Sequence, residues 1–173
     1  GVAVGKADLI RQIYLFSRNT GPALSPFNAW VLSKSLETLA IRVDRHCENA
    51  LKVAEFLEGH PNVNSVKYPF LKSHPKYEVA KKQMKMFGAM VSFSLKDDSL
   101  AAAHKLLSST KLFSLAESLG GVESLIGHPA SMTHGSIPLE ERKKTGVVDS
   151  LIRLSIGIED ADDLIEDLKN AIG

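Results

Sequence analysis

The sequence predicts an α+β domain: a sheet of about four short strands with helices packed on one face, preceded by a long helix. Three observations predict it. Apolar residues recur in steps of three and four at Leu32, Leu36, Leu39, Val43, Cys47, Ala50, Ala54 and Leu57, which is a helical stripe. Beyond Pro61 the chain interleaves short strand-like runs with helical ones. The last segment, Asp160 to Ile172, is amphipathic and carries acids in its first turn, where the helix dipole favours them. Strands this few and short fit a single α+β layer.

Each element has its own local reason. Gly1 to Gly5 reads as the end of a buried strand entering a turn, and Asp8 to Phe16 as a weak helix broken by Thr20-Gly21-Pro22. The long helix starts at Ser25-Pro26, with Ser25 as N-cap and Pro26 at the first helical position, where a missing N–H costs nothing. Gly59 followed by Pro61 stops it. Val63 to Tyr68 reads as a strand, His74 to Met86 as a helix, and Ala89 to Leu95 as a half-buried strand. Ser99 caps a helix from Leu100 to Leu107, and Leu112 to Ala116 is a short strand running into a glycine pair. Pro138 to Lys144 is a short exposed helix closed by Gly146, and Leu151 to Ile158 is the strongest strand.

Composition narrows the function. The 173 residues fit one domain, or one domain plus part of another, and 44% are apolar, enough for a core. Formal net charge is +1, from 21 Lys and Arg against 20 Asp and Glu, so no electrostatic case exists for nucleic acid or an anionic membrane. One cysteine, Cys47, excludes an internal disulfide and suits a reducing compartment. No apolar run approaches the roughly 20 residues that span a bilayer. The apolar part of the N-terminal segment is too short for a signal peptide. A cytoplasmic protein is the expectation.

Within Leu151 to Ile158, alternation puts Ile152, Leu154, Ile156 and Ile158 on one face and Arg153 and Ser155 on the other. A mid-strand arginine either faces solvent or has a partner, because a bare buried charge is too costly. Its planar fork matches a carboxylate. Both readings of Arg153 stay open on pattern alone. Ser118-Leu119-Gly120-Gly121 is either an ordinary turn or a place where a ligand can approach backbone N–H groups. It is no phosphate loop. His128 and His134 lack the spacing of a zinc pair, His46 and Cys47 are neighbours that point apart on a helix, and no metal site is expected. No serine or cysteine triad has recognisable context.

Taken together, several blocks resemble one family. They are Ser25-Pro26-Phe27-Asn28-Ala29-Trp30 through Leu39 with Arg42, His46, Asn49 and Ala50; Pro61-Asn62-Val63 to Tyr68-Pro69; Ser73-His74-Pro75; and Phe87-Gly88-Ala89-Met90-Val91-Ser92-Phe93. The most specific is Ala116 to Leu125, followed by His128 to His134 and Leu151 to Leu164. These resemble the pyridoxal-phosphate (PLP) enzymes of cysteine and methionine metabolism, nearest in pattern to cystathionine γ-synthases and γ-lyases.

The resemblance implies the small C-terminal domain of fold type I, with a mainly antiparallel sheet. Residues 1–25 would then be a remnant of the large PLP-binding domain, 26–59 the long connecting helix and 60–173 the C-terminal domain. It implies a substrate α-carboxylate gripped by Arg153 with help from Ser118 and support from Thr133. Leu119 falls in the same substrate-binding set, and Glu117 marks chemistry at the γ-carbon. It also implies PLP in the parent enzyme, a small amino-acid substrate, and a homotetramer. The Schiff-base lysine is expected upstream of Gly1, so the chain alone would be inactive and would contain no catalytic residue. Lys111, in Ser108-Ser109-Thr110-Lys111, echoes that lysine's motif but sits in the wrong order along the chain. O-acylhomoserine sulfhydrylase and methionine γ-lyase are alternatives within the family, and a non-catalytic binding or oligomerisation module is an alternative outside it.

Overall fold

The computed structural model describes residues 2–86 and 88–173; Gly1, which opens the strand expected at the N-terminus, and Phe87, which opens the glycine-rich segment, lie outside the described residues. The chain divides into two units, Gly1–Ala40 and Ile41–Gly173.

In the first unit, residues 2–6 form no strand, against expectation, and Val4 is 89% exposed. Helix α1, Ala7–Thr20, is longer than its sequence pattern and ends where Gly21 turns left-handed, its N–H bonding Ser17 O at 2.9 Å. Helix α2, Pro26–Leu36, starts as expected: Ser25 Oγ accepts from Asn28 N at 3.2 Å, with proline at the first position.

The long helix expected over 26–59 is not continuous. It breaks at Glu37 and Thr38 and resumes as α3, Leu39–Gly59. The sequence there carries Ser33, Ser35 and Thr38, whose hydroxyls compete for helix backbone groups. Ser35 Oγ donates to Val31 O at 2.8 Å, a bond that bends helices. The apolar stripe is divided as well: Leu36 is 54% exposed while Ala50, Ala54 and Leu57 are fully buried.

The second unit is a five-stranded sheet with helices against it. Its strands are β1 Val63–Lys67, β2 Met90–Leu95, β3 Ser114–Leu115, β4 Leu125–Gly127 and β5 Leu151–Ser155, in the order β1-β2-β5-β4-β3. Two expectations need correction. There are five strands, not about four, and the sheet is mixed: β3 pairs with β4 in parallel, while β1·β2, β2·β5 and β4·β5 are antiparallel. The unanticipated strand is β4. Three residues ending in glycine show no alternation to read.

Helices α4 Tyr77–Gln83, α5 Leu100–Ser109, α6 Leu139–Lys144 and α7 Ala161–Ile172 complete the unit. Helix α4 is shorter than the expected His74–Met86. Ser99 caps α5 by accepting from Ala102 N at 3.1 Å, and Asp160 caps α7 by accepting from Asp162 N at 2.9 Å. One apolar core joins Ala50, Val53 and Leu57 of α3 to Leu106 of α5, Leu164 and Leu168 of α7, Val91 and Phe93 of β2, and Ile152 and Leu154 of β5. The core-facing strand residues alternate, so Met90, Ser92, Arg153 and Ser155 fall on the sheet's other face. Before β3, Asp167 on α7 accepts from three successive N–H groups, those of Lys111, Leu112 and Phe113, at 2.8, 2.9 and 3.2 Å. That grip ties the strand's entry to the core.

The divided stripe has a measurable consequence. In urea unfolding of the 173-residue chain, Leu57→Ala should lose about 2–5 kcal/mol, the range for a buried leucine. Leu36→Ala should change stability by no more than about 0.5 kcal/mol. Equal losses at both positions would show the stripe is packed along its whole length.

Candidate functional site

Arg153 occupies the centre of β5, directly opposite Ser92 of β2 on one side and Gly127 of β4 on the other. The small neighbours leave room for the guanidinium. A Cβ added at Gly127 would lie 3.7 Å from Arg153 Nη2 and 3.2 Å from Ala116 O. Arg153 is half-buried, and its Nη2 donates to Ser118 O at 3.2 Å. Among the described residues no carboxylate forms an ion pair with it. A half-buried cation without a protein anion has binding capacity to spare.

The guanidinium lines a narrow cleft, too tight as it stands to admit a water molecule, shared with Ala116, Glu117, Gly127, His128, Pro129, Met132 and Thr133. Of the residues expected in the site, Arg153, Glu117 and Thr133 therefore meet here. Thr133 is exposed and its Oγ1 is bonded to His134 Nδ1 at 2.8 Å. Ser118 meets Arg153 through its carbonyl oxygen, which accepts from Nη2. Leu119 is 59% exposed and is not among the cleft's lining residues. Lys111 is elsewhere, on the connection between α5 and β3. A wider groove of about 380 Å³ opens beside α5 and the end of α7, lined by Asn62, Lys105 and Ile172 among others, and holds none of these side chains.

Sequence reasoning missed three contributors. Ser155, assigned to the same strand face as Arg153, is buried and its Oγ accepts from Gly120 N at 2.9 Å, so the glycine loop folds over it. Gly127 shows its use only once the strand register is known. Glu159 holds the same loop through Ser124, with its Oε1 2.6 Å from Ser124 N and its Oε2 2.9 Å from Ser124 Oγ. A polar residue just past the strongest strand was the available signal.

The opposite wall is held by His128, which is buried. Its Nε2 lies 2.8 Å from Asp149 O. A carbonyl can only accept, so Nε2 carries the proton and Nδ1 accepts from Ser131 Oγ at 2.7 Å. Its own backbone N–H points at Met132 Sδ, 3.2 Å away. Burial pushes the imidazole below its ordinary 6.5, with His104 and Arg142 acting the same way and the Asp149 backbone acting against it. Arg142 itself is buried, paired with Asp149 Oδ1 at 2.7 Å and donating to Val147 O at 3.2 Å. No group of three metal-ligating His, Cys, Asp or Glu side chains gathers among the described residues. No helix among them is long and apolar enough to cross a membrane.

The α+β unit thus presents an arginine without a carboxylate partner among the described residues beside a glycine loop. The chain belongs to the Cys/Met metabolism PLP-dependent enzyme family, whose model matches residues 1–173. It is 51% identical over 174 residues to a cystathionine beta-lyase of Coxiella burnetii, covering 99% of this chain and 45% of that protein. It is 49% identical over 174 residues to an L-methionine gamma-lyase of Treponema denticola, covering 99% of this chain and 43% of that one. A cystathionine gamma-lyase of Dictyostelium discoideum is 46% identical over 171 residues, with 99% of this chain and 44% of the relative covered. The chain thus spans less than half the length of these curated relatives.

The neutral His128 predicts a pH response. Its folded value lies below 6.5, so the unfolded chain binds the proton first as pH falls. Stability should be full above about pH 6.5 and decline as pH drops from there toward the lower folded value. His128→Gln should flatten that part of the profile, read as melting temperature between about pH 8 and pH 5. Parallel profiles for both proteins would assign the decline to other groups.

Proposed function

We propose that this chain is the substrate-carboxylate-binding part of a PLP-dependent enzyme that acts on sulfur-containing or homoserine-derived amino acids. The observation that carries the reading is Arg153: half-buried, central on β5, without a protein carboxylate, and facing a cleft it shares with Glu117 and Thr133. Its bond to Ser118 O uses one of its five N–H donors, and the fork suits a carboxylate. The guanidinium's remaining donors are those a carboxylate accepts. The cofactor's own anchoring lysine is assigned to a preceding segment, and residues 1–25 to the large domain. On this reading the assembled enzyme is a cytoplasmic homotetramer.

PLP, when bound, acts as an electron sink for a carbanion at the substrate's Cα. This chain supplies orientation. A carboxylate fixed on Arg153 removes rotation about the Cα bonds, so one Cα–H bond is presented for proton removal in a single geometry. Gly127 and Ser92 keep the guanidinium's surroundings small, and the His128–Ser131 and Glu159–Ser124 contacts fix the two walls. Glu117 in the cleft supports chemistry at the γ-carbon, as do the relatives named gamma-lyases. The Coxiella relative, named a beta-lyase, favours cleavage at the β-carbon as a second reading. Products from cystathionine separate them: 2-oxobutyrate with cysteine for the γ route, pyruvate with homocysteine for the β route.

In the complete enzyme carrying this chain, Arg153→Ala should lower kcat/KM by an amount equivalent to about 2–5 kcal/mol while PLP occupancy stays unchanged. Arg153→Lys should recover little, since an ammonium cannot present the fork. Wild-type turnover by the alanine variant would make Arg153 a solvent-side charge and end the proposal.

The chain alone, mixed with PLP, reduced with borohydride and mapped by peptide, should carry no stoichiometric label on Lys111. Such a label would move the cofactor site into this chain.

A further inference from the structure

Between β3 and β4 runs a loop without regular structure, Ala116 to Ser124, and it forms one side of the carboxylate cleft. Ser118 O and Gly120 N reach the strand face through Arg153 Nη2 and Ser155 Oγ. These two contacts sit at the loop's exposed crest, where Glu117 to Gly120 are all exposed. They alone would not fix its height.

The loop is fixed from its base. Glu159 accepts from both Ser124 N and Ser124 Oγ, a two-point grip by a carboxylate on a fully buried serine. Ser124 Oγ in turn accepts from Gly157 N at 2.8 Å, and Ile158 N donates to Val122 O at 2.9 Å. The segment after β5 and the loop therefore interlock residue by residue. The fit has no slack: a Cβ at Gly157 would overlap Val122 O and the Glu123 carbonyl carbon.

Glu159 is itself anchored in the core. Asn49 on α3 donates through Nδ2 to Glu159 O at 2.8 Å and to Gly157 O at 3.1 Å, and Arg45 Nη2 reaches Glu159 O at 3.3 Å. His46 Nδ1 donates to Ile156 O at 2.7 Å. Three side chains of one helix thus hold the backbone on which the clamp is mounted.

We propose that Glu159 is a positioning residue for the carboxylate site: anchored by Asn49 from α3, it grips Ser124 and so sets the height of the Glu117–Gly120 loop against Arg153. This rests on the reading of Arg153 as the carboxylate's partner. Glu159 touches no substrate; it acts through Ser124 and the loop. Glutamine keeps the size but replaces one acceptor oxygen by an amide donor. That donor faces Ser124 Oγ, whose O–H then loses its carboxylate acceptor. The charge-assisted half of the grip is lost.

The test is calorimetric binding of L-norvaline and of L-norvalinamide, its carboxamide, to the complete PLP-loaded enzyme carrying this chain. Wild type, Glu159→Gln and Arg153→Ala are compared. Glu159→Gln should weaken norvaline by about 10-fold or more while leaving the carboxamide within about 3-fold, because a charge-assisted contact at the carboxylate is what is misplaced. A general loss of structure would weaken both ligands together, and that outcome would overturn the proposal. If Arg153→Ala loses norvaline selectively and Glu159→Gln binds it like wild type, the positioning role falls and the reading of Arg153 survives. If Arg153→Ala binds norvaline normally, both fall. Ser124→Ala removes one hydroxyl from the same grip and should show the same selective loss, which keeps the test decisive if Glu159→Gln does not fold; normal norvaline binding by it would count against the clamp.

Discussion

The pairing of β5 with β2 on one side and β4 on the other governs both the core and the cleft. Ile152 and Leu154 point into the core because Phe93 and Val91 lie opposite them on β2, and Ile126 lies opposite Leu154 on β4. The same pleat sends Arg153 and Ser155 to the other face. A slip of one residue would exchange the two sets and drive a guanidinium into the apolar layer. The cost of a bare buried charge makes that register prohibitive. So the hydrophobic effect, acting on alternate residues, is what aims the arginine.

Aiming the arginine constrains its neighbours. On β4 the residue opposite it is Gly127, and a Cβ there would already press on Ala116 O. The parallel strand β3 is held to β4 by Ala116 N donating to Ile126 O at 3.0 Å, so Ala116 cannot retreat. The cleft is consequently narrow by construction. On its far wall, His128 spends both ring nitrogens on fixed partners and stays neutral. A protonated ring there would place a second cation near Arg142. Burial and that neighbouring charge favour the same protonation state.

How much of this the sequence disclosed follows from how local each cause is. The caps at Ser25 and Ser99 are contacts within four residues, and both were legible, while Asp160, read as the first residue of the last helix, is its N-cap. The alternation of β5, with Arg153 off the core face, was legible for the same reason. The break at Glu37–Thr38 was not, because a period of three and four runs through it unaltered; only the hydroxyls of Ser33, Ser35 and Thr38 hinted at it. Strand β4 was hidden by its brevity. Ser155 looked like a solvent-face residue because the loop that buries it arrives from 35 positions away. Glu159 and Asn49 lie within the blocks that carry the resemblance, but no local pattern assigns them a role, because their bonds span 35 and 110 positions. Short-range chemistry could be read; the long-range hydrogen bonds that shape the cleft could not.

An arginine on a strand and a loop beside it do not by themselves make a binding site. Guanidinium side chains lose substantial rotamer freedom when they grip a ligand, and an untethered loop loses more. Here both costs fall partly on folding instead of on binding. The bond from Arg153 Nη2 to Ser118 O restrains the fork before any ligand arrives, and Glu159 restrains the loop that carries Ser118. Each restraint depends on the other: Ser118 O is a useful partner only at the height Ser124 allows. The core sets β5 and α3, these set Glu159, Glu159 sets the loop, and the loop sets the direction of the Arg153 guanidinium.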